Sequence, residues 1–232
     1  MDIKGSIALV TGANRGIGRA FARELLNRGA VKVYAGVRDP ATVTDPDVIP
    51  LRLDVTDEES VAAAAEIAGD ASIVINNAGI GGAGTQLLEG AFDGARQAMD
   101  VNYFGTWAVS RAFAPVLARN GGGALVNMLS VASWSGQPQF AGYAASKAAQ
   151  WSLTDALRKG LYDQGTLVVG VHAGFVDTDL SAWTDAPKIS AATVAELTMD
   201  AVIRGELEVL ADEGTRSVKA ALSGPPSLPA GR

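Results

Sequence analysis

A doubly wound α/β fold, a parallel sheet covered by helices on both faces, is predicted by three features of the 232-residue chain. Short apolar runs alternate with segments of helical periodicity, the first run ends in a glycine-rich turn leading into a helix, and no Pro/Gly/Ser-rich linker divides the middle. Strands that are apolar throughout, rather than at alternate positions, suit a sheet buried on both faces. The length suits one large domain.

"SIALVTG" (6–12) reads as the first strand, and "RGIGRAFARELLNRGA" as a helix that stops at Gly29. "VKVYAG" and "VIPLRLDV" follow as strands. Between them "RDPATVTDPDVIP" carries three prolines, so any helix there is short. "DEESVAAAAEIAG" is a helix opened by acids, "ASIVINNAG" a fourth strand and "GALVNMLS" a fifth. A helix over about 141–164, the strand "TLVVGVHAG", a helix over 191–204 and the strand "LEVLAD" complete the pattern. The tail "SGPPSLPAGR" (223–232) is expected to be disordered, leaving 1–222 as the folded domain.

Composition excludes several function classes. Hydrophobic residues make up 48% and charged residues 19%, as in a globular protein. A net charge of -6 without a run of Lys and Arg argues against nucleic-acid binding. Cysteine is absent, which removes disulfides, thiolate nucleophiles and Cys-based zinc sites. His172 is the single histidine, so no histidine cluster can hold a metal and any Ser/His/Asp triad would have to use it. No secretory signal is visible in the opening residues, and no apolar run approaches the ~20 residues that span a bilayer. A cytoplasmic protein is expected.

In such sheets ligands bind beyond the carboxyl ends of the strands. Gly12 to Gly18, Asp54, Asn76 to Gly79, Ser130 and Gly174 to Thr178 all fall at such ends and are expected to converge on one cleft. In "TGANRGIG", Gly12, Gly16 and Gly18 permit a tight turn and close approach of a ligand, and the helix that follows offers free N–H groups to a pyrophosphate. The spacing is GxxxGxG, and no GK[ST] supports a nucleotide-hydrolysing loop. In "GYAASKAAQW", Tyr143 and Lys147 stand four residues apart, about one helical turn, so their polar ends can reach one small molecule.

With these motifs in order, Thr11 to Gly18, Asn76 to Gly79, Ser130, and Tyr143 with Lys147, the chain resembles the short-chain dehydrogenase/reductases, in particular the NADP-preferring carbonyl reductases. The likeness runs to about Asp212. It implies a Rossmann-type fold and a nicotinamide cofactor gripped by Gly12, Asn14, Arg15, Gly16, Ile17 and Gly18, with Asn77, Ala78 and Gly79 opposite. Asp54 and Val55 match the family's adenine-contacting position. Where the family places an acid against the ribose of NAD, this chain has Val37 followed by Arg38. A guanidinium can bind a 2'-phosphate through two parallel hydrogen bonds, so NADPH/NADP+ is expected, with Arg15 as a second cation. The alternative is a solvated Arg38 with Asp39 contacting NAD.

The resemblance assigns Tyr143 as proton donor to a carbonyl oxygen. Acid/base work near neutrality asks for a pKa about three pH units below the phenol's ordinary ~10, or about 4 kcal/mol. A nearby Lys147 ammonium, and the charge of an oxidised nicotinamide, act in that direction. Lys147 also matches the residue that hydrogen-bonds the nicotinamide ribose. Ser130, thirteen residues before Tyr143, matches the family's catalytic serine, which holds the carbonyl oxygen. Asn102 matches an asparagine that holds a water linking the lysine to solvent; its alternative is an ordinary helix residue.

"HAGFVDTDL" resembles the family's PGxVxT segment, with Ala173 in place of proline. Gly174, Val176 and Thr178 would then contact the nicotinamide carboxamide and phosphate, and His172 is expected to be packed rather than catalytic. The short substrate lid follows Thr178 and contains Trp183; Trp134 lies in the loop after Ser130. If both face the cleft, the substrate is an apolar or aromatic ketone or aldehyde. The family implies a homo-dimer or homo-tetramer built through long helices, here residues 100–119 and 141–164. Rival readings are an NAD-dependent secondary-alcohol dehydrogenase and a non-catalytic NADP-binding sensor.

Overall fold

The computed structural model describes residues 1–89 and 92–225. Its strands are β1 (Ile7–Thr11), β2 (Lys32–Val37), β3 (Ile49–Arg52), β4 (Ile73–Asn76), β5 (Ala124–Met128), β6 (Leu167–His172), β7 (Val176–Asp177), β8 (Ile189–Ser190) and β9 (Glu208–Leu210). Seven of these form one parallel sheet in the order β3-β2-β1-β4-β5-β6-β9, while β7 and β8 pair separately. The helices are α1 (Gly16–Asn27), α2 (Glu58–Ile67), α3 (Phe92–Ala98), α4 (Gly105–Arg119), α5 (Ala141–Gly160), α6 (Ala191–Arg204) and α7 (Glu213–Ala221). The expected single-domain, doubly wound Rossmann-type fold is therefore present.

Alternation within each strand divides the core in two. Ala8 and Val10 of β1 face a cluster with Phe21 and Leu25 of α1 and Met199 and Val202 of α6. Leu9, between them, faces the opposite cluster, with Val61 of α2 and Phe113 and Leu117 of α4. Each fully buried side chain of this size contributes ~1.5–3 kcal/mol, so both faces must be apolar and the strands read as continuous apolar runs. Because β1 pairs with β2 on one side and β4 on the other, the chain reverses direction across the sheet there, opening a crevice at the carboxyl ends of β1 and β4.

Several elements differ from the sequence reading. The helix expected over 141–164 ends at Gly160, where Leu161 caps it and the chain turns through Gly165 at φ +75°. The stretch expected as one helix over 100–119 opens instead as a π-helical segment, Met99–Phe104, before α4 begins. Neither α3 nor α7 was anticipated. Among their described residues α3 buries only Ala98 and α7 only Thr215, so neither shows the apolar stripe by which a helix is read. The prolines after β2 leave only a single 3-10 turn, Pro40–Thr42, as expected. Of the tail expected to be disordered, residues 226–232 lie outside the described residues. Among the described residues no helix is long and apolar enough to cross a membrane.

Candidate active site

A cleft of about 790 Å³ opens at the carboxyl ends of β1, β2, β4 and β5. Gly12 and Gly16 adopt left-handed φ values of +66° and +54°, open to glycine at little cost. A Cβ on Gly12 would stand 3.1 Å from Ala78 Cα, and one on Gly18 would overlap the Gly12 carbonyl oxygen. Gly18 itself does not line the cleft; it lets α1 pack against the strand end. At the start of α1 Arg15 is the N-cap residue, yet no side chain caps the helix and no acid occupies its first turn. Its leading N–H groups are thus suited to an anion.

Asn77, Ala78 and Gly79 form the opposite wall. Thr11 Oγ1 accepts from the N–H groups of Asn77 (3.0 Å) and Ala78 (2.9 Å), and Asn77 Nδ2 donates to Thr11 O at 2.9 Å. These bonds lock the two loops together. Asn14, Arg15, Ile17, Arg38, Asp54, Val55 and Thr178 also border the cleft. Asp39 borders it too, but its Oδ1 accepts from Ala41 N at 3.0 Å to cap the 3-10 turn. Asp54 is held below the usual carboxylate range mainly by hydrogen bonds from Thr56, with Arg38 adding a smaller attraction. Thr178 faces Gly16 across the mouth. Arg15 Nη1 pairs with Asp179 at 3.2 Å, an exposed ion pair that ties the glycine loop to the lid.

The segment at Gly174 departs from expectation. Its N–H donates to Asp212 Oδ2 at 2.7 Å, and Asp212 also caps α7 through Thr215. Gly174 and Val176 are not among the residues bordering the cleft; Val176 is buried and pairs with Ile189.

At the inner end Tyr143 and Lys147 project from α5 beside Met128 and Leu129. Ser130 closes β5's carboxyl end, its Oγ accepting from Ala132 N at 3.1 Å. Lys147 Nζ donates to Met128 O and to Gln150 Oε1, each at 2.8 Å, and lies 6.0 Å from the Tyr143 ring centroid. Burial pushes Lys147 down to about 7. Tyr143 is pushed up by burial, opposed by a hydrogen bond with Ser130. The downward pull of Lys147 on Tyr143 does not prevail here: the ammonium is turned towards two acceptors, and desolvation of the phenol dominates.

Asn102 is fully buried in the π-helical segment. Its Oδ1 accepts from Ile80 N at 2.9 Å, and its Nδ2 donates to Ile80 O and to Ser146 Oγ. Its side chain therefore binds the loop after β4 to α5. The Asn102 carbonyl accepts from Thr106 Oγ1 at 2.8 Å, and Thr106 Oγ1 accepts from Gln150 Nε2 at 2.8 Å. Gln150 and Thr106 went unnoticed in the sequence, although positions 143, 147 and 150 follow i, i+4, i+7 and so share a helix face.

Trp134 does not border the nucleotide-sized cleft. Its ring stacks on His172 at 3.8 Å with Lys219 Nζ 4.7 Å above it, and it borders a second hollow with Ser133, Gly136 and Ala144. Trp183 lies on the lid outside the cleft's lining, 61% exposed, between Phe140 (5.4 Å) and Phe175 (5.6 Å). Leu180 of the lid borders the cleft and covers Gly81.

His172 is packed, as expected. Its Nδ1 lies 3.1 Å from Ser130 O, a group that can only accept, so the neutral ring carries its proton on Nδ1. Burial pushes its pKa from 6.5 to about 4. The unfolded chain therefore takes up this proton first as pH falls, and the associated stability, present above 6.5, is lost between 6.5 and about 4, at a cost of ~3 kcal/mol. Urea titrations across that window should show a steep decline that His172→Leu flattens; equal slopes in both proteins would contradict it.

A parallel sheet with a glycine-lined cleft at its switch point, bordered by a Tyr–Lys pair, defines a nucleotide-binding oxidoreductase of the doubly wound class. Residues 6–188 match the family model "short chain dehydrogenase", and the chain belongs to that family. It is similar to a short chain dehydrogenase from Burkholderia cenocepacia J2315 solved in complex with NADP (39% identity, TM-score 0.92, 96% of this chain and 94% of that one). It is also similar to a short chain dehydrogenase/reductase from Burkholderia phymatum solved in complex with NAD (26% identity, TM-score 0.86, all of both chains). Among curated relatives it is 32% identical over 203 residues to short chain dehydrogenase tazN of Aspergillus terreus, matching 80% of this chain and 44% of that protein.

Proposed function

We propose that this chain reduces ketones or aldehydes to alcohols with NADPH, reversibly, and that residues 1–222 carry the activity. The observation that carries the reading is the convergence of Tyr143, Lys147 and the Ser130 end of β5 on a cleft whose glycines leave no room for side chains. The cradle of Gly12, Gly16 and the N-terminus of α1 fits a pyrophosphate, with Asp54 and Val55 towards adenine and Asn77, Ala78 and Gly79 along the opposite wall. Gly18 supports this cradle through packing, and Gly174 and Val176 by carrying the chain to Thr178. Arg38 and Arg15 favour a 2'-phosphate; the NADP complex of the Burkholderia cenocepacia relative supports that choice. The bound nicotinamide supplies the hydride.

Ser130 Oγ donates a hydrogen bond to the carbonyl oxygen, and Tyr143 gives that oxygen its proton. A phenol held above its ordinary pKa is protonated at neutral pH, which favours the reductive direction. Lys147 binds the ribose and supplies positive charge. Asn102 is a positioning residue that fixes the Gly79–Ile80 loop against α5. The NAD-dependent alternative rests on Asp39, whose Oδ1 is engaged in a cap.

For the substrate, Leu180 on the cleft and the adjoining lid cluster of Trp183, Phe140 and Phe175 suit an apolar or aromatic ketone. Trp134 stands apart from this cluster, against His172 and on a second hollow. Loss of nicotinamide absorbance with a panel of aryl ketones tests the activity, and Trp183→Ala should raise KM for the best of them about ten-fold with kcat little changed, about 1.4 kcal/mol of lost ring contact. An unaltered KM would remove Trp183 from the subsite. Exposed Phe104, at the end of the π-helical segment, and Trp107, in the first turn of α4, support a homo-oligomer, which sedimentation velocity reads directly; a monomer alone would contradict it.

A further inference from the structure

Beneath the site runs a buried chain of hydrogen bonds whose direction is fixed at one end. The Asn102 carbonyl can only accept, so Thr106 Oγ1 must spend its single proton on it. Towards Gln150 the same hydroxyl can then only accept, which turns the Gln150 amide nitrogen to Thr106 and its Oε1 to Lys147. Gln150 is 1% exposed, so water does not compete for either end. Lys147 therefore meets two acceptors, Gln150 Oε1 and Met128 O. Bonds from an ammonium to these oxygens are charge-assisted and stronger than those from an amine. The ammonium also keeps a third N–H for the cleft.

We infer that Gln150 is a positioning residue that holds Lys147 in its charged form, through the one-way hydrogen-bond chain from the Asn102 carbonyl. The inference deepens the proposed reductase site, since it concerns the charge that the site's lysine brings to the reaction. An amide neither gains nor loses a proton near neutral pH, so Gln150 orients and stabilises but does not conduct protons. Beyond Gln150 Oε1 and Met128 O the surroundings supply no compensation. Lys147 meets the Met128 carbonyl from β5, Gly79 from the loop after β4 and, on α5, Gln150 and Tyr143, the titratable group among them. No charged side chain among the described residues offsets its desolvation. With Lys147 titrating at about 7, the loss or gain of one strong acceptor decides its charge at neutral pH.

The test is an NMR titration of the full chain without cofactor, labelled with ¹³C at lysine Cε, the Lys147 signal being assigned by its loss in Lys147→Met. Gln150→Met should lower the Lys147 midpoint by about one pH unit or more, and Gln150→Glu should raise it by at least as much, the sizes set by one charge-assisted hydrogen bond. Opposite shifts are not the result of a generic packing defect. Should Gln150→Met fail to fold, Gln150→Glu decides alone. A midpoint unchanged in the folded variants, or moved the same way in both, overturns the role of Gln150. In ketone reduction the alkaline limb of kcat/KM should follow the NMR midpoints. Absence of turnover with every ketone would count against the reductase reading while leaving the titration result standing.

Discussion

Tyr143→Phe is expected to lower kcat for ketone reduction by about 10³-fold while leaving NADPH affinity within about two-fold of wild type. The substitution removes only the phenolic oxygen. Ser130 continues to hold the carbonyl and Lys147 keeps its bonds to Met128 and Gln150, so the fold and the cleft are undisturbed. The residual rate reflects proton supply from water, which is slow because no water is positioned as the phenol is. Stopped-flow single turnovers beside fluorescence titrations with NADPH separate the two quantities. Retention of more than about a tenth of the rate would assign proton donation elsewhere, because a positioned acid contributes roughly 10²–10⁴-fold.

Arg38→Asp is the second large effect, on cofactor choice instead of chemistry. Arg38 is exposed at the end of β2, beside the cleft and near enough to Asp54 to depress its pKa. Its loss removes a charge-assisted contact with a 2'-phosphate worth ~1.5–3 kcal/mol, and the new carboxylate repels that phosphate while accepting from the ribose hydroxyls of NADH. The ratio of kcat/KM for NADPH to that for NADH should therefore fall by two to three orders of magnitude, roughly 3–4 kcal/mol. Arg15 survives in the variant, which should leave measurable NADPH binding. An unchanged ratio would mean that Arg38 is solvated, and would return attention to Asp39.

How much of this could be read from the chain alone depended on whether the signal was local. β1 and the glycine loop were legible because a strand buried on both faces and a turn needing positive φ at Gly12 and Gly16 leave marks within a few residues. Tyr143 and Lys147 were legible for the same reason, being one helical turn apart. What escaped depends on groups distant in sequence. Gln150 meets Thr106 across 44 residues, and Gly174 meets Asp212 across 38, so neither pairing leaves a local pattern. Trp134 could not be placed from the sequence because a loop tryptophan carries no record of which side it packs on; its ring stacks on His172. α3 and α7 were missed because, among the described residues, they bury almost nothing apolar. The upward push on the Tyr143 pKa was not legible because spacing gives the proximity of a lysine but not the desolvation around the phenol.

The most direct measurement is hydride tracing in a single turnover, with stoichiometric protein, NADPH deuterated at the transferred position and an aryl alkyl ketone, read by mass spectrometry of the alcohol. One deuterium on the carbinol carbon, formed by the wild type and nearly abolished by Tyr143→Phe, is the expected result. Tight binding of NADPH with no label transferred to any ketone or aldehyde would contradict the reductase assignment and favour a cofactor-binding role for the same cleft.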